Sequence, residues 1–418
     1  MNRSLWMVTV LALILGGGCA MAADVQELYT ETVEGVKLKL FIPRDTKVVR
    51  GILLHSTNYQ MNPGDRWAEF CRARDWAHLA QDLAGNNAGR SKRLPQSAEE
   101  GLKLFAGLSG HPELVHVPWS AVGHSAGGMG RTVVLKQPAR ALTNCVSCGW
   151  VADPAKMSEA EAAVPYLCTL GAIPDAFKML PGIEANFEPA RKAGRPWGLA
   201  LQWGCAHDFG NSACLFIPWI AGVESFRVPK DWDPLAGPPT LKPMTEKDGW
   251  LGDRSTVDGN FATVASFAEF KGDRTVASWF PDRATAYVWR AMVSKEAPMT
   301  LEAAATDGSA RLGPPNPKSE RGMLVNPGRD LTLKVSIHGG IDVKQVEFFD
   351  GETALGVARS APWEFLWKAP AQGPHPTFAV MTDAAGQRGT TNPALITIRK
   401  YESVAPAAEV ARPEDDKR

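Results

Sequence analysis

The chain has 418 residues, which is long for one ordinary domain and predicts two. Lys and Arg together number 45, and Asp and Glu also number 45, so the formal net charge is zero and the basic excess typical of a nucleic-acid-binding protein is absent. The 44% hydrophobic and 22% charged content is that of a globular chain, and the one long apolar run lies at the N-terminus, which excludes a protein that spans the membrane several times.

The N-terminus has the pattern of a secretory leader. Arg3 precedes the apolar stretch LWMVTVLALILGGG, and AMA (20–22) has the small-x-small pattern of a cleavage site. We therefore expect residues 1–23 to be a signal peptide and the protein to be exported, to the periplasm or outside the cell. The apolar core is short for a membrane anchor, so we expect no integral membrane span after the leader is removed. Lipid attachment at Cys19 is the alternative.

Six cysteines remain beyond the leader, and an even number in an exported protein allows disulfides. Cys205 and Cys214 are close enough in sequence to close a small loop. Cys145 and Cys148 have the spacing of a redox motif, but they lie in an apolar run and no second pair completes a zinc site. Buried or disulfide-bonded thiols are therefore favoured over a metal or redox role. The six are Cys71, Cys145, Cys148, Cys168, Cys205 and Cys214.

In chain order, the first part of the sequence alternates predicted strands with predicted helices. A continuous apolar run is typical of a strand buried on both faces of a parallel sheet, whereas apolar residues at helical spacing predict helices. The segments are strand VKLKLFIP (36–43), strand GILLHSTN (51–58), helix WAEFCRARDWAHLAQDL (67–83), helix SAEEGLKLFAGL (97–108), strand VPWSAVG (117–123), helix GGMGRTVVLKQP (127–138), strand ALTNCVSCGWV (141–151), strand VPYLCTLG (164–171), strand WGLALQWG (197–204), helix FIPWIAGVESF (216–226) and helix PDRATAYVWRAMVS (281–294). This alternation predicts a doubly wound, mostly parallel α/β sheet.

The rest of the chain differs in character. The stretch 228–280 is rich in Pro, Gly and Trp, and its tryptophans either line a groove or pin an irregular segment onto the domain; they include Trp232, Trp250 and Trp279. Short strand patterns without helices then predict an all-β sandwich. We expect the domains to be 24–297 and 298–401, followed by a disordered polar tail at 402–418.

The motif GHSAG (123–127) matches G-x-S-x-G, with Ser125 at its centre. It ends a predicted strand and begins a predicted helix, the context in which this pattern marks a nucleophile. The serine then occupies a tight turn that exposes its hydroxyl at the carboxyl edge of the sheet, and the helix N-terminus directs amide hydrogens at a developing oxyanion. Ser125 is therefore predicted to be the nucleophile, the alternative being a Gly/Ser turn without catalysis.

Through this motif and its context, residues 30 to 295 resemble the α/β-hydrolase superfamily. The resemblance implies the α/β-hydrolase fold and a serine, an acid and a histidine in that chain order. The stretch VEFFDGETALGVARSAPWEFLWKAP and the later TDAAGQRGTT resemble bacterial immunoglobulin-like modules over about 298–400. The implied fold class is a doubly wound α/β-hydrolase sheet followed by an immunoglobulin-like β-sandwich, which would act by default as a spacer or packing partner.

The chain order implied by the resemblance identifies the base and reduces the number of candidates for the acid. Of the eight histidines, His207 alone lies after Ser125 and before the β-sandwich segment, in the small-residue loop GCAHDFGNS. The strand VPYLCTLG resembles the family strand that ends at an acidic residue, which favours Asp175. Asp153, after the preceding strand, is the competitor. Weaker options for the acid are Glu184 and Glu188.

The oxyanion hole implied by the resemblance needs two backbone amides. One is that of Ala126, and the other comes from the loop that begins at His55. Ser56 replaces the glycine that the family often has there, which leaves the donor open between Ser56 and Thr57, with Thr57 preferred. His55 is expected to be a structural hydrogen-bonding residue.

These residues predict a secreted serine hydrolase that cleaves carboxylic esters through an acyl-enzyme, with no cofactor or metal. Few residues separate Ser125 from Asp175, which leaves little material for a large cap and suits a small-molecule or polymeric ester in an open site. The alternatives are a serine peptidase or amidase with the same triad and a non-catalytic binding protein on a hydrolase scaffold.

Overall fold

The computed structural model describes residues 25–31, 36–43, 45–57, 66–82, 92–295, 297–315 and 320–399. The predicted leader, the lipidation alternative at Cys19 and the predicted tail at 402–418 lie outside these ranges. Within them, no helix combines the length and the apolar character needed to cross a membrane.

An eight-stranded sheet forms the centre of the first domain, in the order β1-β2-β4-β3-β5-β6-β7-β8. The pairs β1–β2 and β2–β4 are antiparallel and the other pairs are parallel. The strands are β1 (Val25–Glu31), β2 (Lys37–Pro43), β3 (Gly51–Thr57), β4 (Trp76–Asp82), β5 (Trp119–His124), β6 (Ala141–Ser147), β7 (Tyr166–Gly171) and β8 (Trp197–Gln202). Every residue of β6 and β7 is buried, which explains why they are continuous apolar runs in the sequence.

Helices cover both faces of this sheet, as a doubly wound fold requires. Successive strand residues point to opposite faces, and Leu53 packs in one core while Ile52 and Leu54 pack in another. Helices α1, α7 and α8 cover the first face, and α2 and α3 cover the second. The helices are α1 (Arg66–Arg72), α2 (Leu94–Ser109), α3 (Arg131–Val134), α4 (Glu159–Ala162), α5 (Pro174–Phe177), α6 (Leu180–Lys192), α7 (Ser212–Arg227) and α8 (Arg283–Val293).

The prediction of a single helix over 67–83 is wrong. The chain forms α1, turns at Asp75 in the left-handed region with φ of 54°, and continues as β4. That strand inserts between β2 and β3, so its conformation depends on pairing with segments distant in sequence, which overrides a local helical pattern.

The helix predicted over 127–138 is also shorter than expected. A 3₁₀ turn spans Ser125–Gly130, and only Arg131–Val134 is α-helical. Three of the six residues in the 3₁₀ turn are glycines, which are poor helix formers.

The segment 228–280 contains a small antiparallel sheet that the sequence pattern did not predict. Its strands are β9 (Trp250–Gly252), β10 (Val264–Ser266) and β11 (Ser278–Phe280), in the order β10-β9-β11. The Ser278 hydroxyl donates to the carbonyl oxygen of Leu199 on β8 at 2.6 Å, which attaches this sheet to the main one. Trp279 is completely buried, so it does not line a groove and instead pins the segment to the domain.

The C-terminal part is a sandwich of two sheets, with orders β12-β14-β17 and β13-β20-β18-β15-β16, and with β19 paired to β18. Burial alternates along β12, as expected for a strand with one face in a core. The strands are β12 (Met299–Ala305), β13 (Gly322–Val325), β14 (Leu331–Ile337), β15 (Val343–Asp350), β16 (Thr353–Ala358), β17 (Glu364–Trp367), β18 (Gly373–Asp383), β19 (Arg388–Thr390) and β20 (Ala394–Ile398). The sequence pattern did not indicate β12, β13 or β19.

The sandwich packs directly on the α/β domain. Its strands β18 and β20 contact helices α1 and α7, and β18 also contacts α8. Four sandwich side chains belong to the same buried apolar cluster as these helices: Phe349, Phe378, Val380 and Leu395. An ion pair of 2.7 Å between Arg66 and Glu320 lies at the same junction.

Candidate active site

Ser125 occupies the turn between β5 and the 3₁₀ turn that leads into α3. Its φ of 53° lies in the left-handed region, which a residue with a side chain adopts only where the surrounding structure enforces it. The side chain is half-buried at the carboxyl edge of the sheet. The strained strand-to-helix turn predicted for the G-x-S-x-G motif is therefore present.

The glycines on either side of Ser125 are required by close backbone packing. A Cβ on Gly123 would lie 2.2 Å from the carbonyl oxygen of Gly127. A Cβ on Gly127 would lie 2.2 Å from the carbonyl oxygen of Ser56 at the end of β3. Both distances are too short for any side chain, so the motif glycines permit the turn to fold against its neighbouring strand.

His207 lies in the loop after β8, and its Nε2 is 2.9 Å from Oγ of Ser125. The loop of residues 203–211, called here the His207 loop, crosses the end of β7, where the Ile173 amide donates to the carbonyl oxygen of Cys205 at 2.9 Å. A Cβ on Gly171 would lie 2.0 Å from the carbonyl oxygen of Ala206. The structure therefore brings the predicted nucleophile and the predicted base into hydrogen-bonding contact.

The imidazole of His207 packs on that of His124, with ring centroids 5.2 Å apart and planes inclined by 62°. Burial lowers the pKa of His124, and the neighbouring His207 lowers it further. His124 is therefore a neutral packing partner at neutral pH, and it leaves the exposed His207 as the ring that contacts Ser125.

Side chains from the sheet hold the backbone of the His207 loop in place. The carbonyl oxygen of Asp208 accepts from Oγ of Ser147 and from Sγ of Cys148, both at 3.4 Å. Gln202, at the end of β8, accepts from the Asn211 amide at 2.7 Å and so joins the two ends of the loop. These hydrogen bonds restrain the backbone of the loop that carries His207.

The structure does not bring Asp175 to His207. Pro174 begins α5 directly after β7, and Asp175 in its first turn has a side chain that is 86% exposed, with its nearest cation, Lys178, at 3.4 Å. Within the described residues, no carboxylate hydrogen-bonds to Nδ1 of His207.

The competing acids are also engaged elsewhere. Asp153 caps the 3₁₀ turn Pro154–Lys156 and pairs with Lys156 at 3.1 Å, and these contacts lower its pKa. Glu184 pairs with Arg254. Neither carboxylate contacts His207, nor does any contact join Glu188 to it.

The two amides predicted for the oxyanion hole come from opposite sides of the elbow. Ala126 follows the nucleophile in the 3₁₀ turn, and Thr57 is the last residue of β3. The contact between Ser56 and Gly127 places the end of β3 beside the elbow. Donation from Ala126 and Thr57 to an oxyanion remains a prediction, with Ser56 as the alternative.

All six described cysteines are buried free thiols. The loop closure expected for Cys205 and Cys214 does not occur, because Cys214 faces the apolar core while Cys205 is directed toward the carbonyl oxygen of Asp208. Burial raises the pKa of Cys205 to about 11. Within the described residues, no three His, Cys, Asp or Glu side chains are placed to hold a metal ion.

Sequence reasoning missed the residues that brace the histidine. These residues are Gln202 and Asn211. Asn211 directly precedes α7, a position at which asparagine often caps a helix, but its side chain makes no cap hydrogen bond. His55, expected to form structural hydrogen bonds, stacks on His78 with centroids 5.6 Å apart, and its buried Nδ1 has no hydrogen-bond partner among the described residues.

Comparison with known proteins adds a family match for the C-terminal part. Residues 319–387 match the family model of the bacterial Ig domain. No curated protein matches the chain. Among solved structures, fibronectin(III)-like modules of Clostridium thermocellum CbhA are 20% identical with a TM-score of 0.19, over 19% of this chain and 88% of that chain.

The first part of the chain is similar to solved α/β hydrolases. MGS-M1, an α/β hydrolase enzyme from a Medee basin deep-sea metagenome library, is 14% identical with a TM-score of 0.33, over 45% of this chain and 85% of that chain. A dienelactone hydrolase from Anabaena variabilis is 20% identical with a TM-score of 0.32, over 44% and 88% of the two chains.

The predicted fold class is confirmed. The first part of the chain has a mostly parallel eight-stranded sheet with a strained serine turn after β5, and the second part has a sandwich that matches a family model. The chain joins an α/β-hydrolase fold to a bacterial immunoglobulin domain.

Proposed function

We propose that this protein is a serine hydrolase that cleaves carboxylic esters through an acyl-enzyme formed on Ser125. The observation that carries the proposal is the 2.9 Å contact between Oγ of Ser125 and Nε2 of His207, made at a left-handed turn after a central parallel strand. Nucleophile and base within hydrogen-bonding distance are the signature of covalent acyl transfer.

In the first half-reaction, His207 takes the hydroxyl proton as Oγ of Ser125 attacks the ester carbonyl carbon. The tetrahedral anion forms beside the amide of Ala126, and a second amide at the end of β3 completes its stabilisation. The bond to the alcohol oxygen then breaks, and His207 returns the proton to the leaving alcohol. The acyl group remains on Oγ.

In the second half-reaction, water takes the place of the serine. His207 accepts a proton from water as the oxygen attacks the acyl carbon, and the collapse of the tetrahedral anion returns the proton to Oγ of Ser125. The products are a carboxylic acid and the free enzyme. This cycle uses the Ser125–His207 pair, because no carboxylate contact to His207 is part of the described site.

The described residues leave the site open, which supports substrates larger than a short-chain ester. His207 is exposed and Ser125 is half-buried. Between β6 and β7 the chain forms only the one-turn segments Pro154–Lys156 and Glu159–Ala162, so this connection supplies no large cap. We include polymeric esters in the proposed substrate class on this ground.

A fluorophosphonate probe tests the nucleophile directly. Oγ of Ser125 should displace fluoride and form a bond to phosphorus, while the hydroxyl proton passes to His207. Ser125→Ala should abolish labelling and reduce ester hydrolysis by about 10³-fold or more. The matched control is Ser120→Ala, because Ser120 lies on β5, the strand that leads to Ser125, and is buried with an Oγ that has no hydrogen-bond partner among the described residues. Folded wild-type protein that takes up no label would refute the proposal and favour a binding protein on a hydrolase scaffold.

The leaving group distinguishes an esterase from a peptidase or amidase. Purified protein should hydrolyse p-nitrophenyl esters and leave the matching aminoacyl p-nitroanilides nearly unchanged. Preferential cleavage of the anilides would assign the site to amide chemistry.

We also propose that the protein is exported. The leader pattern at residues 1–23 and the bacterial Ig domain at 319–387 support this location. Cell fractionation with N-terminal sequencing of the mature chain tests it: a first residue near Ala23 or Asp24 is expected, and recovery of uncleaved protein from the cytoplasm would contradict it.

A further inference from the structure

The immunoglobulin sandwich meets the α/β domain through more than apolar packing. The Asn211 side chain is satisfied by two backbone groups of the sandwich: its Nδ2 donates to the carbonyl oxygen of Pro393 at 3.1 Å, and its Oδ1 accepts from the Arg321 amide at 2.7 Å. Pro393 and Arg321 immediately precede β20 and β13, which are parallel neighbours. Asn211 thus binds the shared end of two sandwich strands.

Asn211 is also the last residue of the His207 loop. Its amide donates to Oε1 of Gln202 at 2.7 Å, and Nε2 of Gln202 donates to Oγ of Ser212 at 2.9 Å. The Ser212 hydroxyl in turn donates to the carbonyl oxygen of Phe209 at 2.5 Å. A continuous set of hydrogen bonds therefore runs from the sandwich backbone to a residue two positions from His207.

The junction has little freedom to move. The sandwich contributes Phe349, Phe378, Val380 and Leu395 to the apolar cluster that also buries α7, the helix beginning directly after Asn211. A buried hydrophobic interface of this kind opposes relative domain motion. The two sandwich backbone groups that bind Asn211 are therefore held in place relative to the His207 loop.

We propose that the sandwich is a positioning element of the active site and that Asn211 is the positioning residue through which it holds the His207 loop. The sandwich is then more than a spacer, because the distance between the base and Ser125 depends on it. The catalytic consequence rests on the proposed hydrolase function, whereas the mechanical coupling does not.

The test compares two asparagines at the same junction in the full chain. Asn211→Ala removes the bonds to Pro393 and Arg321, whereas Asn392→Ala removes a bond of 3.2 Å from Nδ2 to the carbonyl oxygen of Ala291 on α8, which is not part of the loop. Hydrogen exchange of residues 203–211 and the rate of fluorophosphonate labelling are measured on both variants and on wild type.

In Asn211→Ala, we expect amide exchange in the His207 loop to rise at least ten-fold and the labelling rate to fall about ten- to hundred-fold, because a small displacement of a catalytic group is costly. The kcat for ester hydrolysis should fall with it, while KM changes little. Asn392→Ala should leave loop exchange and labelling near wild type. This contrast distinguishes positioning from general weakening of the junction.

Unchanged loop exchange in Asn211→Ala would overturn the inference, and so would equal changes in both variants. If the loop responds as expected but wild-type protein takes up no label, the coupling stands and the proposed hydrolase function fails. If wild type is labelled and Asn211→Ala is labelled equally fast despite faster exchange, the positioning role is refuted while the hydrolase function stands.

Discussion

The substitution Asp175→Asn tests whether ester hydrolysis through His207 requires the carboxylate of Asp175. The Asp175 side chain is 86% exposed, and its closest cation is the ammonium group of Lys178 at 3.4 Å, itself 72% exposed. We expect the variant to keep kcat/KM within about three-fold of wild type. In an enzyme whose acid orients the histidine, the same change lowers kcat by about 10⁴-fold.

The effect on stability should also be small. An ion pair this exposed contributes about 0–1 kcal/mol, because water and salt screen it and both side chains lose entropy to form it. The free energy of unfolding should therefore fall by less than about 1 kcal/mol. A loss of activity in Asp175→Asn could not then be attributed to unfolding.

The assay is steady-state hydrolysis of a p-nitrophenyl ester, with urea unfolding measured on the same preparations. Asp153→Asn is the matched control, since Asp153 is the other candidate acid and also pairs with a lysine three residues later. A drop of 10³-fold or more in Asp175→Asn alone would refute the reasoning, because it would mean that α5 rearranges to carry this carboxylate to His207.

Three further predictions concern stability, the loop and the thiols. Burial, and then the charge of a nearby arginine, lowers the pKa of His55 to about 4, and burial lowers that of His78 well below its usual range. The unfolded chain therefore binds more protons than the folded protein, and the free energy of unfolding should decrease as the pH is lowered from about 6.5 to about 4. His55 should contribute up to about 3 kcal/mol of this decrease. Urea midpoints that do not change across this pH range would contradict the prediction. In Gly171→Ala the added Cβ would lie 2.0 Å from a carbonyl oxygen of the His207 loop, so labelling should slow about ten-fold or more, whereas Gly107→Ala, with open space around it, should label at the wild-type rate. Ellman's reagent should titrate none of the six described cysteines in folded protein and all six in guanidinium, and rapid reaction of folded protein would show that the burial is incomplete.

The contact between Ser125 and His207 could be predicted from the sequence. Ser125 lies in a five-residue motif between a strand and a helix, and His207 was selected by chain order. The acid depends on the path of the chain after β7, where Pro174 begins a short helix and leaves Asp175 in solvent. The direction of the chain after β7 depends on tertiary packing, which no sequence period records.

The parts of the fold that were missed depend on distant partners. The segment that forms β4 has apolar residues at helical spacing, and its strand conformation comes from pairing with β2 and β3. The strand MTLEAAA (299–305) is rich in residues that favour helices, yet it pairs with β14. The role of Asn211 could not be predicted for the same reason, since both of its side-chain partners lie more than 100 residues away.

The α/β domain and the sandwich share one buried apolar cluster, so separating them would expose apolar side chains on both. Phe378 and Leu395 of the sandwich are buried together with Phe216 and Trp289 of the α/β domain. Cutting the chain at the junction would expose a contiguous apolar surface on each half, and exposed surfaces of this kind promote aggregation. Replacing the sandwich with another module would therefore require substitutions on the faces of α7 and α8 that contact it, and production of the α/β domain alone should begin by redesigning those faces.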